Sequence, residues 1–399
     1  MPGPLDGIRV LDLTSVVLGP YATQILGDMG ADVIKVEGPD GDITRGIGPA
    51  RHKGMAAVYL NCNRNKRAIV LDLKQPAARD ALLRLVEDAD VFVHNIRPQA
   101  VDRLGLDYAT LAKVNPRIIY AATYGYRRDG PFGHMPAFDD MIQGASGLAR
   151  LQAKFTGEPA YMPTILADKS CALALVGNIS MALFHRERTG EGQHIETTMF
   201  ETMTAFTMVE HLFGHTFDPP LGDLGYSRVL SPDRRPYRTK DGYIGVLPYN
   251  DRQFRKFFEI AGRPELADDP RFANASARSE NIDAVYGQIS ELIGAKTSAE
   301  WLELFDAAGI PSTQVNDLDD LLEDPHLNDV GFWRSAEHPT EGAIRQTDIP
   351  PTFSKSPGSI RRHAPRFGEH TRDLLGEAGI SDNDIDAMMA SGAALQAAD

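Results

Sequence analysis

A single carboxylate, Asp168, stands in the stretch TILADKSCA (Thr164 to Ala172), ahead of an apolar run of helical character, ALALVGNISMALF. An aspartate at the start of a helix can act as an N-cap, whose oxygens accept hydrogen bonds from N–H groups of the first turn. It can also act as a nucleophile that attacks a carbonyl and holds an acyl or thiol group covalently. The spacing alone favours the cap.

Other patterns that could carry chemistry are weaker. His211 and His215 are four apart in EHLFGH and would share one helix face, as zinc ligands can, but no Cys or carboxylate with matching spacing is nearby. We interpret them as a structural pair. The turn SVVLGP lacks the G-x-G-x-x-G fingerprint, which argues against an NAD site with Glu37 as the ribose partner. The sequence also contains no G-x-S-x-G nucleophile elbow.

Two segments, NRNKRAIVLDLK and HNIRPQAVDRLG, are rich in basic residues. They contribute Arg64, Lys66, Arg67, Lys74, Arg97 and Arg103. Lys and Arg form charge-assisted hydrogen bonds with phosphate groups. For each residue taken singly, a solvated charged surface is the more common explanation. Their joint position beside predicted strand ends nevertheless favours a phosphate-binding site.

The first half of the chain alternates short apolar runs with helical patterns. The runs predict five strands at Ile8–Thr14, Ala31–Glu37, Arg67–Leu73, Asp90–Ile96 and Ile118–Tyr126. Strands separated by helices pair in parallel through right-handed crossovers, so the sequence predicts an α/β fold with a parallel sheet. Ligands of such sheets bind beyond the carboxyl ends of the strands. The loops after Thr14, Leu73 and Ile96 are therefore expected to form the site.

The composition changes after Gly214, and this divides the chain into predicted domains. Residues 1–214 form the large domain, and the Pro-, Gly- and Asp-rich segment 215–236 reads as a linker or long loop. A small α+β domain is expected over 237–330, and 331–399 returns to pack on the large domain. No internal repeat is present in the sequence.

Local signals place the elements of the second half. A hairpin turning at Lys240-Asp241-Gly242 opens the small domain, and Thr297 with Glu300 predicts a capping box at the start of a helix. Two short strands, FWRSAEH and AIRQTDI, precede a closing helix, HTRDLLGEAG. The tail ASGAALQAAD is low in complexity, and we expect it to be frayed.

Composition limits the classes of protein that fit. The chain has 399 residues and a formal net charge of −14, which argues against nucleic-acid and anionic-membrane binding. Two cysteines provide no disulfide framework and indicate a reducing compartment. The start, MPGPLDGIRV, lacks the pattern of a signal peptide, and no uninterrupted apolar stretch reaches the ~20 residues of a membrane span. We expect a cytoplasmic protein.

The whole chain resembles the class III coenzyme A transferases, the CaiB/BaiF family that includes formyl-CoA and carnitine CoA transferases. The resemblance runs from GIRVLDLTSVVLGPYATQILGDMGADVIKVE through NRNKRAIVLDLK, VHNIRPQAVDRLG and NPRIIYAATYGY. It continues through ADKSCALALVGNISMALFHRERTGEGQHIETTMFE and ends in FGEHTRDLLGEAGISDNDI. Agreement sustained over this length is far more specific than any one of the motifs.

The resemblance implies that Asp168 is the catalytic aspartate, which reverses the order given by spacing alone. Members move CoA from an acyl-CoA thioester to a free carboxylic acid through an aspartyl mixed anhydride and an aspartyl-CoA thioester. The implied CoA contacts are Val16, Val17, Leu18, Leu71, Lys74, Asn95, Ile96, Arg97, Arg103 and Asp139. Members have a Rossmann-like large domain, hold no permanent cofactor or metal, and form interlocked homodimers.

The sequence departs from particular members of the family. Gly38 replaces the arginine that formyl-CoA transferases carry after the strand-two glutamate, and RVLSPDRRPYRTKDG replaces their glycine-rich loop. Formyl-CoA to oxalate exchange is therefore not the first expectation. Arg234 and Arg235 of this divergent loop are candidates to meet a second carboxylate of the substrate acid.

Two alternatives to a transferase stay open at this point. The first is an α-methylacyl-CoA racemase or epimerase, but Phe138 stands where those enzymes have a histidine, and a phenyl ring cannot accept a proton. His134, four residues earlier, is out of register for that role. The second is a CoA-binding protein that keeps the fold without turnover.

Overall fold

The computed structural model describes residues 2–396, and twelve strands form within that range. In chain order they are β1 (Arg9–Leu13), β2 (Asp32–Glu37), β3 (Lys66–Leu71), β4 (Val91–His94), β5 (Ile119–Tyr124), β6 (Gln193–Thr198), β7 (Tyr237–Arg238), β8 (Tyr243–Val246), β9 (Ser312–Gln314), β10 (Trp333–His338), β11 (Gly342–Thr347) and β12 (Ala394–Leu395). The first five correspond to the five predicted strands.

Helices connect and cover these strands. The α-helices are α1 (Leu18–Asp28), α2 (Ala57–Cys62), α3 (Pro76–Glu87), α4 (Pro98–Leu104), α5 (Tyr108–Val114), α6 (Asp139–Ala145), α7 (Leu148–Thr156), α8 (Leu166–Thr189), α9 (Met199–His211), α10 (Ser227–Leu230), α11 (Asp251–Ile260), α12 (Ala275–Glu280), α13 (Ile282–Ile293), α14 (Ser298–Ala308), α15 (Asp320–Glu323), α16 (Pro325–Asp329), α17 (Thr371–Glu377) and α18 (Asp382–Ser391). Short 3₁₀ helices occur at Ile43–Gly46, Phe213–Thr216 and Pro264–Asp268.

The chain divides into two compact units. The large unit comprises the residues up to Ser146, Met162–Phe206 and the residues from Asp329 onward. The small unit comprises Gly147–Tyr161 and Thr207–Asn328. The small unit contains the antiparallel sheet β7-β8-β9, and its core forms around stacked rings of Trp301 and Phe305 whose centroids are 5.0 Å apart.

A seven-stranded sheet of order β12-β3-β2-β1-β4-β5-β6 forms the centre of the large unit. All its neighbours pair in parallel except β12, which runs antiparallel to β3. The large unit is therefore a mixed α/β structure with a mainly parallel sheet, as the strand–helix alternation predicted. Strand order reverses between β1 and β4, which is where open sheets of this kind bind ligands.

Helix α8 is the longest helix and packs against α1, α6, β5 and β6 of the large unit. It is the one described helix that is long and apolar enough to cross a membrane, but 44% of its most apolar window is buried inside the protein. Its packing on both a helix and the sheet is typical of a core helix in a globular protein. Three large apolar side chains of the helix are exposed, those of Leu173, Met181 and Phe184.

Local predictions in the second half are confirmed where caps and turns determine them. The hairpin β7–β8 turns at the predicted Lys240-Asp241-Gly242, and Thr297 forms a capping box with Glu300 at the start of α14. The two short strands and the closing helix are present as β10, β11 and α17.

Three expectations about elements were wrong or incomplete. No strand was predicted at β6, since GEGQHIETT has little apolar alternation, yet all six residues pair with β5. The tail is not frayed up to residue 396, because Ala394 and Leu395 pair with the edge of β3. Helix α18 follows the supposed closing helix, α17. Residues 397–399 of the tail lie outside the described residues.

The two histidines do not share a helix face, because α9 ends at His211 and His215 lies in a separate 3₁₀ helix. His211 accepts a hydrogen bond at Nδ1 from the backbone N–H of Tyr226 (3.3 Å). Within residues 2–396, no group of three His, Cys, Asp or Glu side chains is placed to hold a metal. Both cysteines are free and buried.

The basic segment NRNKR does not form a phosphate site, contrary to the expectation. Arg64 pairs with Asp28 at 2.7 Å, Lys66 with Asp12 at 3.0 Å, and Arg67 with both Asp32 and Glu377 at 2.6 Å. Lys66 and Arg67 lie at the amino end of β3, whereas ligands bind beyond the carboxyl ends of parallel strands. These cations stabilise the fold instead.

The Asp12–Lys66 pair generates a stability prediction. Burial alone would raise the pKa of Asp12, but the charges of Lys66 and Lys35 and the hydroxyl hydrogen bonds of Thr14 and Thr23 outweigh it and lower the pKa to about 2. Asp12→Asn leaves the Lys66 ammonium buried without its counter-charge. We expect the free energy of unfolding, measured in urea at pH 7, to fall by ~3–5 kcal/mol.

Asp32→Asn is the matched control, because the side chain of Asp32 is 35% exposed and its pair with Arg67 is partly solvated. Pairs of that kind contribute about 0–1 kcal/mol. The stability due to Asp12 is present above about pH 4 and is lost as the pH falls through its folded pKa of about 2. Equal losses in the two variants would contradict the assignment.

Candidate active site

A cavity of about 260 Å³ opens in the large unit at the carboxyl ends of β1, β4 and β5. Its wall comes from the β1–α1 loop, the β4–α4 loop, the end of β5, the segment before α6 and the first turn of α8. The lining residues include Ser15, Val16, Leu18, Asn95, Arg97, Thr123, Tyr124, Gly125, His134, Met135, Phe138, Asp168 and Met199. The cavity thus lies at the point where the strand order reverses.

The β1–α1 loop enters the cavity in a strained conformation. Val16 has φ of 72°, a left-handed conformation that a β-branched residue rarely adopts and that costs ~1–3 kcal/mol. The chain then turns so tightly that a Cβ on Gly19 would lie 2.2 Å from the side chain of Thr14. Only glycine fits at this position, because the loop passes so close to the residue that follows β1.

Buried charges beneath the loop hold it in place. The Lys35 ammonium donates to the Thr14 carbonyl (3.1 Å) and to Asp42 (2.8 Å), whose other oxygen accepts from the N–H of Val16 (3.3 Å). Asp12 accepts from the Thr14 N–H (2.9 Å) on the same loop. A network of this kind can maintain a strained residue because the surrounding contacts over-determine it.

Asn95 fixes the other side of the same loop. Its side-chain oxygen accepts from the Ser15 N–H (3.1 Å), and its amide group donates to the Ser15 carbonyl (2.9 Å). These two hydrogen bonds join the β4–α4 loop to the β1–α1 loop at the point where the strand order reverses. Asn95 therefore lines the cavity and also shapes it.

Asp168 lies in the first turn of α8 with its carboxylate at the cavity wall. The N-cap position is Ile165, which makes no capping bond, so Asp168 is not the cap that its spacing suggested. The residue is 92% buried, and its carboxylate oxygens have no hydrogen-bond partner within the described part of the chain. A buried carboxylate without partners is costly to maintain and is typical of functional sites.

The cap of α8 comes from a different helix. The Oδ1 atom of Asp139, in the first turn of α6, accepts the backbone N–H of Asp168 at 3.0 Å. An N–H in the first helical turn needs an external acceptor, and the partial positive charge of the helix end favours an anionic one. Because Asp139 supplies this acceptor, the carboxylate of Asp168 is left uncommitted.

The two carboxylates influence each other electrostatically. Burial raises the pKa of Asp168 to about 7, and the nearby charge of Asp139 adds to the rise. One turn further along α8, burial and then the same two carboxylates raise the pKa of the Cys171 thiol to about 12. Near neutral pH, Asp168 is therefore a basic carboxylate beside a neutral thiol, and a basic carboxylate is the better nucleophile.

The structure brings some of the residues named from the sequence into this one cavity and leaves others outside it. Those at the cavity are Val16, Leu18, Asn95, Arg97 and Asp168, with Asp139 in contact with the last. Those outside its lining are Val17, Leu71, Lys74, Ile96 and Arg103. Leu71 is fully buried in the sheet core, whereas Lys74 and Arg103 are exposed on the surface.

Sequence reasoning missed Thr123, Tyr124 and Gly125 at the end of β5, although the rule that selected the loops after β1, β3 and β4 applies equally to β5. The loop after β3 does not reach the cavity because β3 is two strands away from the switch point. Thr123 lines the cavity, and its hydroxyl is buried and has no partner among residues 2–396.

His134 also lines the cavity. From the sequence, His134 is out of register with the histidine of the racemases and was not expected at the site. The loop 127–135 is a series of turns, closed by bonds such as that from the Met135 N–H to the Phe132 carbonyl (2.9 Å), and it presents His134 on the same side as Phe138. Both Arg97 and His134 lack side-chain hydrogen bonds within the described chain.

Comparison with known proteins identifies the relatives of this chain. Residues 5–371 match the family described as CoA-transferase family III. The chain is 33% identical over 394 residues to the succinyl-CoA:glutarate CoA-transferase of Mus musculus, covering 98% of this chain and 90% of the relative. It is 36% identical over 328 residues to the acetyl-CoA:oxalate CoA-transferase of Acetobacter aceti, covering 82% and 83% respectively.

Solved structures agree with these relatives. A CaiB/BaiF family protein from Brucella suis superposes with a TM-score of 0.81 at 32% identity, covering 95% of this chain and 100% of that one. A protein from M. tuberculosis gives a TM-score of 0.83 at 29% identity, covering 94% and 99%. The match extends over nearly the whole length in both sequence and structure, so the chain belongs to CoA-transferase family III and is an enzyme of the class III CoA-transferases.

Proposed function

We propose that the chain moves CoA from an acyl-CoA thioester to a free carboxylic acid through covalent intermediates on Asp168. The observation that supports this most strongly is the carboxylate of Asp168, buried at the cavity wall and without a partner among the described residues. A cap or a structural ion pair would use these oxygens. A nucleophile needs them free.

The proposed route consists of four acyl-transfer steps. An Asp168 oxygen attacks the donor thioester carbonyl, the C–S bond breaks, and CoA thiolate leaves a mixed anhydride. The thiolate attacks the aspartyl carbonyl, the anhydride C–O bond breaks, and the donor acid leaves an aspartyl-CoA thioester. The acceptor carboxylate then attacks that thioester and releases thiolate, which returns to the acceptor carbonyl and frees Asp168. No net proton is gained or lost.

CoA is expected to lie along the carboxyl edge of the Rossmann-like sheet of the large unit. The order β3-β2-β1-β4-β5-β6 and the cavity at the β1/β4 switch point support this. Val16, Leu18, Asn95 and Arg97 are placed to contact the part of CoA nearest the thioester. The other contacts implied by the resemblance lie outside the lining of this cavity; they are Val17, Leu71, Lys74, Ile96 and Arg103.

The acids are inferred from charge in the cavity and from the relatives. Arg97 and His134 share the cavity with Asp168, so a second carboxylate on the acyl group has a guanidinium and an imidazole as hydrogen-bond partners within it. Several relatives are named for succinyl-CoA, with glutarate, L-malate or mesaconate as the other acid. We infer that the donor is succinyl-CoA or a similar dicarboxylic acyl-CoA.

The racemase alternative has less support. Phe138 lies at the cavity, so the position where racemases carry a histidine holds a phenyl ring that cannot move a proton. The relatives named here are transferases. The racemase alternative can be tested by nuclear magnetic resonance (NMR). Solvent deuterium entering the α-carbon of an acyl-CoA without any acid acceptor would support it.

Exposed apolar residues on α8 support a homodimer. Leu173, Met181 and Phe184 are 59%, 63% and 64% exposed, and their spacing places them with Gly177 along one face of the helix. Apolar surface this continuous commonly marks an interaction site. We infer that a second copy of the chain covers it, in the interlocked arrangement that the resemblance implies.

The free, buried cysteines suit a cytoplasmic location.

Trapping should identify the nucleophile. After incubation with succinyl-CoA alone, hydroxylamine should convert Asp168 to its hydroxamate, which peptide mass spectrometry detects. Asp168→Ala should lose the adduct and ~10³-fold or more in exchange rate, because the proposed covalent intermediate forms on this carboxylate. The control is Asp140→Ala, an exposed carboxylate near the same cavity. Full exchange activity in Asp168→Ala would contradict the proposal.

An acceptor screen should reveal dicarboxylate preference. With succinyl-CoA as donor and glutarate, oxalate, malate and acetate as acceptors, we expect kcat/KM, read by mass spectrometry of the acyl-CoA products, to be at least ~10-fold higher for the preferred dicarboxylate than for acetate. One charge-assisted bond contributes enough for that ratio. His134→Gln should lower the ratio of kcat/KM for the dicarboxylate to kcat/KM for acetate, while the rate with acetate stays within about twofold of the wild type. A preference for acetate would contradict the inference.

The apolar face of α8 should control assembly. Phe184→Glu places a charge on that face, and light scattering at micromolar concentration should then show monomer where the wild type shows dimer. The control is His185→Glu, which adds the same group at the adjacent exposed position, about 100° around the helix. A stable wild-type monomer, or dimers in both variants, would contradict this interface.

A further inference from the structure

One buried amide, Gln143, connects the carboxylate pair to the segment that leads into α8. Gln143 is on α6, one turn after Asp139, and its side chain is 1% exposed. Its Nε2 donates to Asp139 Oδ2 at 2.5 Å and approaches the Thr164 carbonyl at 3.4 Å. Its Oε1 accepts the N–H of Met162 at 2.8 Å.

These contacts form a continuous chain with the cap. Gln143 holds one oxygen of Asp139, and the other oxygen of Asp139 holds the N–H of Asp168. The amide also fixes the 162–164 segment, which sets where the first turn of α8 begins. The orientation of Asp139 and the position of Asp168 therefore depend on the same side chain.

The orientation of Gln143 follows from its partners. Its NH₂ group faces an acceptor-only carboxylate, and its oxygen faces a backbone donor. A glutamate at this position could still accept from Met162, but it could donate to Asp139 only while protonated. A hydrophobic side chain of similar size could do neither. The position thus requires a neutral group that donates on one side and accepts on the other.

We propose that Gln143 is a positioning residue, which holds Asp139 on the amino end of α8 so that the carboxylate of Asp168 stays uncapped and directed at the cavity. The inference rests on the proposed nucleophilic role of Asp168. It assigns to α6 the task of setting both the direction and the electrostatic surroundings of the nucleophile.

The charged and titratable groups that bear on Asp168 come from several elements. They are Asp139, His134, Arg97, Tyr124, Cys62 and Cys171, while the adjacent Lys169 ammonium donates to Thr164 Oγ1 at 2.6 Å instead. Of these, Asp139 raises the pKa of Asp168 next to the larger effect of burial. Removing the charge of Asp139 should therefore lower the pKa of Asp168.

The first test uses Asp139→Asn. Attack requires ionised Asp168, so kcat/KM for the acyl-CoA should fall in the wild type as the pH drops through about 7. In Asp139→Asn the like charge is absent, and this acid limb should move to lower pH by about one unit. The profile is normalised to its plateau, so a general loss of activity does not hide the shift.

The second test uses Gln143→Glu and Gln143→Met. In Gln143→Glu, two carboxyl groups would share one proton, and its loss at higher pH removes the donor to Asp139. We expect a decline of activity on the alkaline side that the wild type does not show. In Gln143→Met, kcat should fall ~10–100-fold with KM for the acyl-CoA within about threefold, since a nucleophile misplaced by about 1 Å loses rate but not substrate binding.

Gln24→Met is the matched control for loss of a buried amide. Gln24 is 5% exposed on α1 and accepts the N–H of Arg64 at 3.1 Å, away from the cavity. It should lower the melting temperature and leave kcat within about twofold. Melting temperatures and calorimetric CoA binding of the Gln143 variants show whether each is folded.

The outcomes separate this inference from the proposed function. Failure to trap an adduct on Asp168 in the wild type would overturn the proposed function itself. A trapped adduct in the wild type, together with wild-type pH profiles in Asp139→Asn and Gln143→Glu, would overturn the role of Gln143 alone. If Gln143→Met fails to fold, the shape of the Gln143→Glu profile decides.

Discussion

The site depends on one hydrogen bond, from the backbone N–H of Asp168 to the carboxylate of Asp139. The first turn of α8 needs an acceptor, and an aspartate in that turn is well suited to supply one itself. With the acceptor provided by α6, the helix end is satisfied and the carboxylate of Asp168 remains unpaired in the described structure. The cap and the candidate nucleophile are thus two different aspartates, and the capping bond goes to the backbone N–H of Asp168 and not to its carboxylate.

A second constraint lies on the opposite side of the cavity. The β1–α1 loop carries Val16 at φ of 72°, and such strain persists only where other contacts enforce it. Buried Asp12, Lys35 and Asp42 supply those contacts through the backbone of residues 14 and 16. These buried charges therefore act one layer below the cavity. They shape the loop, and the loop shapes the cavity.

Much of the fold could be predicted from the sequence because local patterns dictate it. Alternating apolar runs and helices required a parallel sheet, and the capping box at Thr297 marked the start of α14. Strand β6 could not be predicted, since its residues are held by pairing with β5 and not by their own pattern. The antiparallel edge strand β12 is likewise determined by the free edge of β3, more than 300 residues away in the chain.

For the site, the sequence named Asp168 but could not decide between its two roles by spacing. That decision depends on Asp139, 29 residues earlier, and on the tie through Gln143, which no local motif encodes. The ion pair of Lys66 could not be predicted either, because the carboxylate it binds, Asp12, belongs to a different strand. Contacts between elements distant in sequence decided each of these assignments.

The closeness of the two carboxylates also suits the proposed chemistry. Burial, and then the nearby charge of Asp139, raise the free energy of ionised Asp168, as its pKa of about 7 reflects. When Asp168 becomes an anhydride or a thioester, its negative charge disappears from beside Asp139, so each covalent intermediate relieves the repulsion. Asp139 is held beside the helix end, because one of its oxygens accepts the Asp168 N–H and the other accepts from Gln143. The arrangement that caps α8 thereby lowers the free energy of the covalent states relative to the free carboxylate, which is what a route through an enzyme-bound acyl group requires.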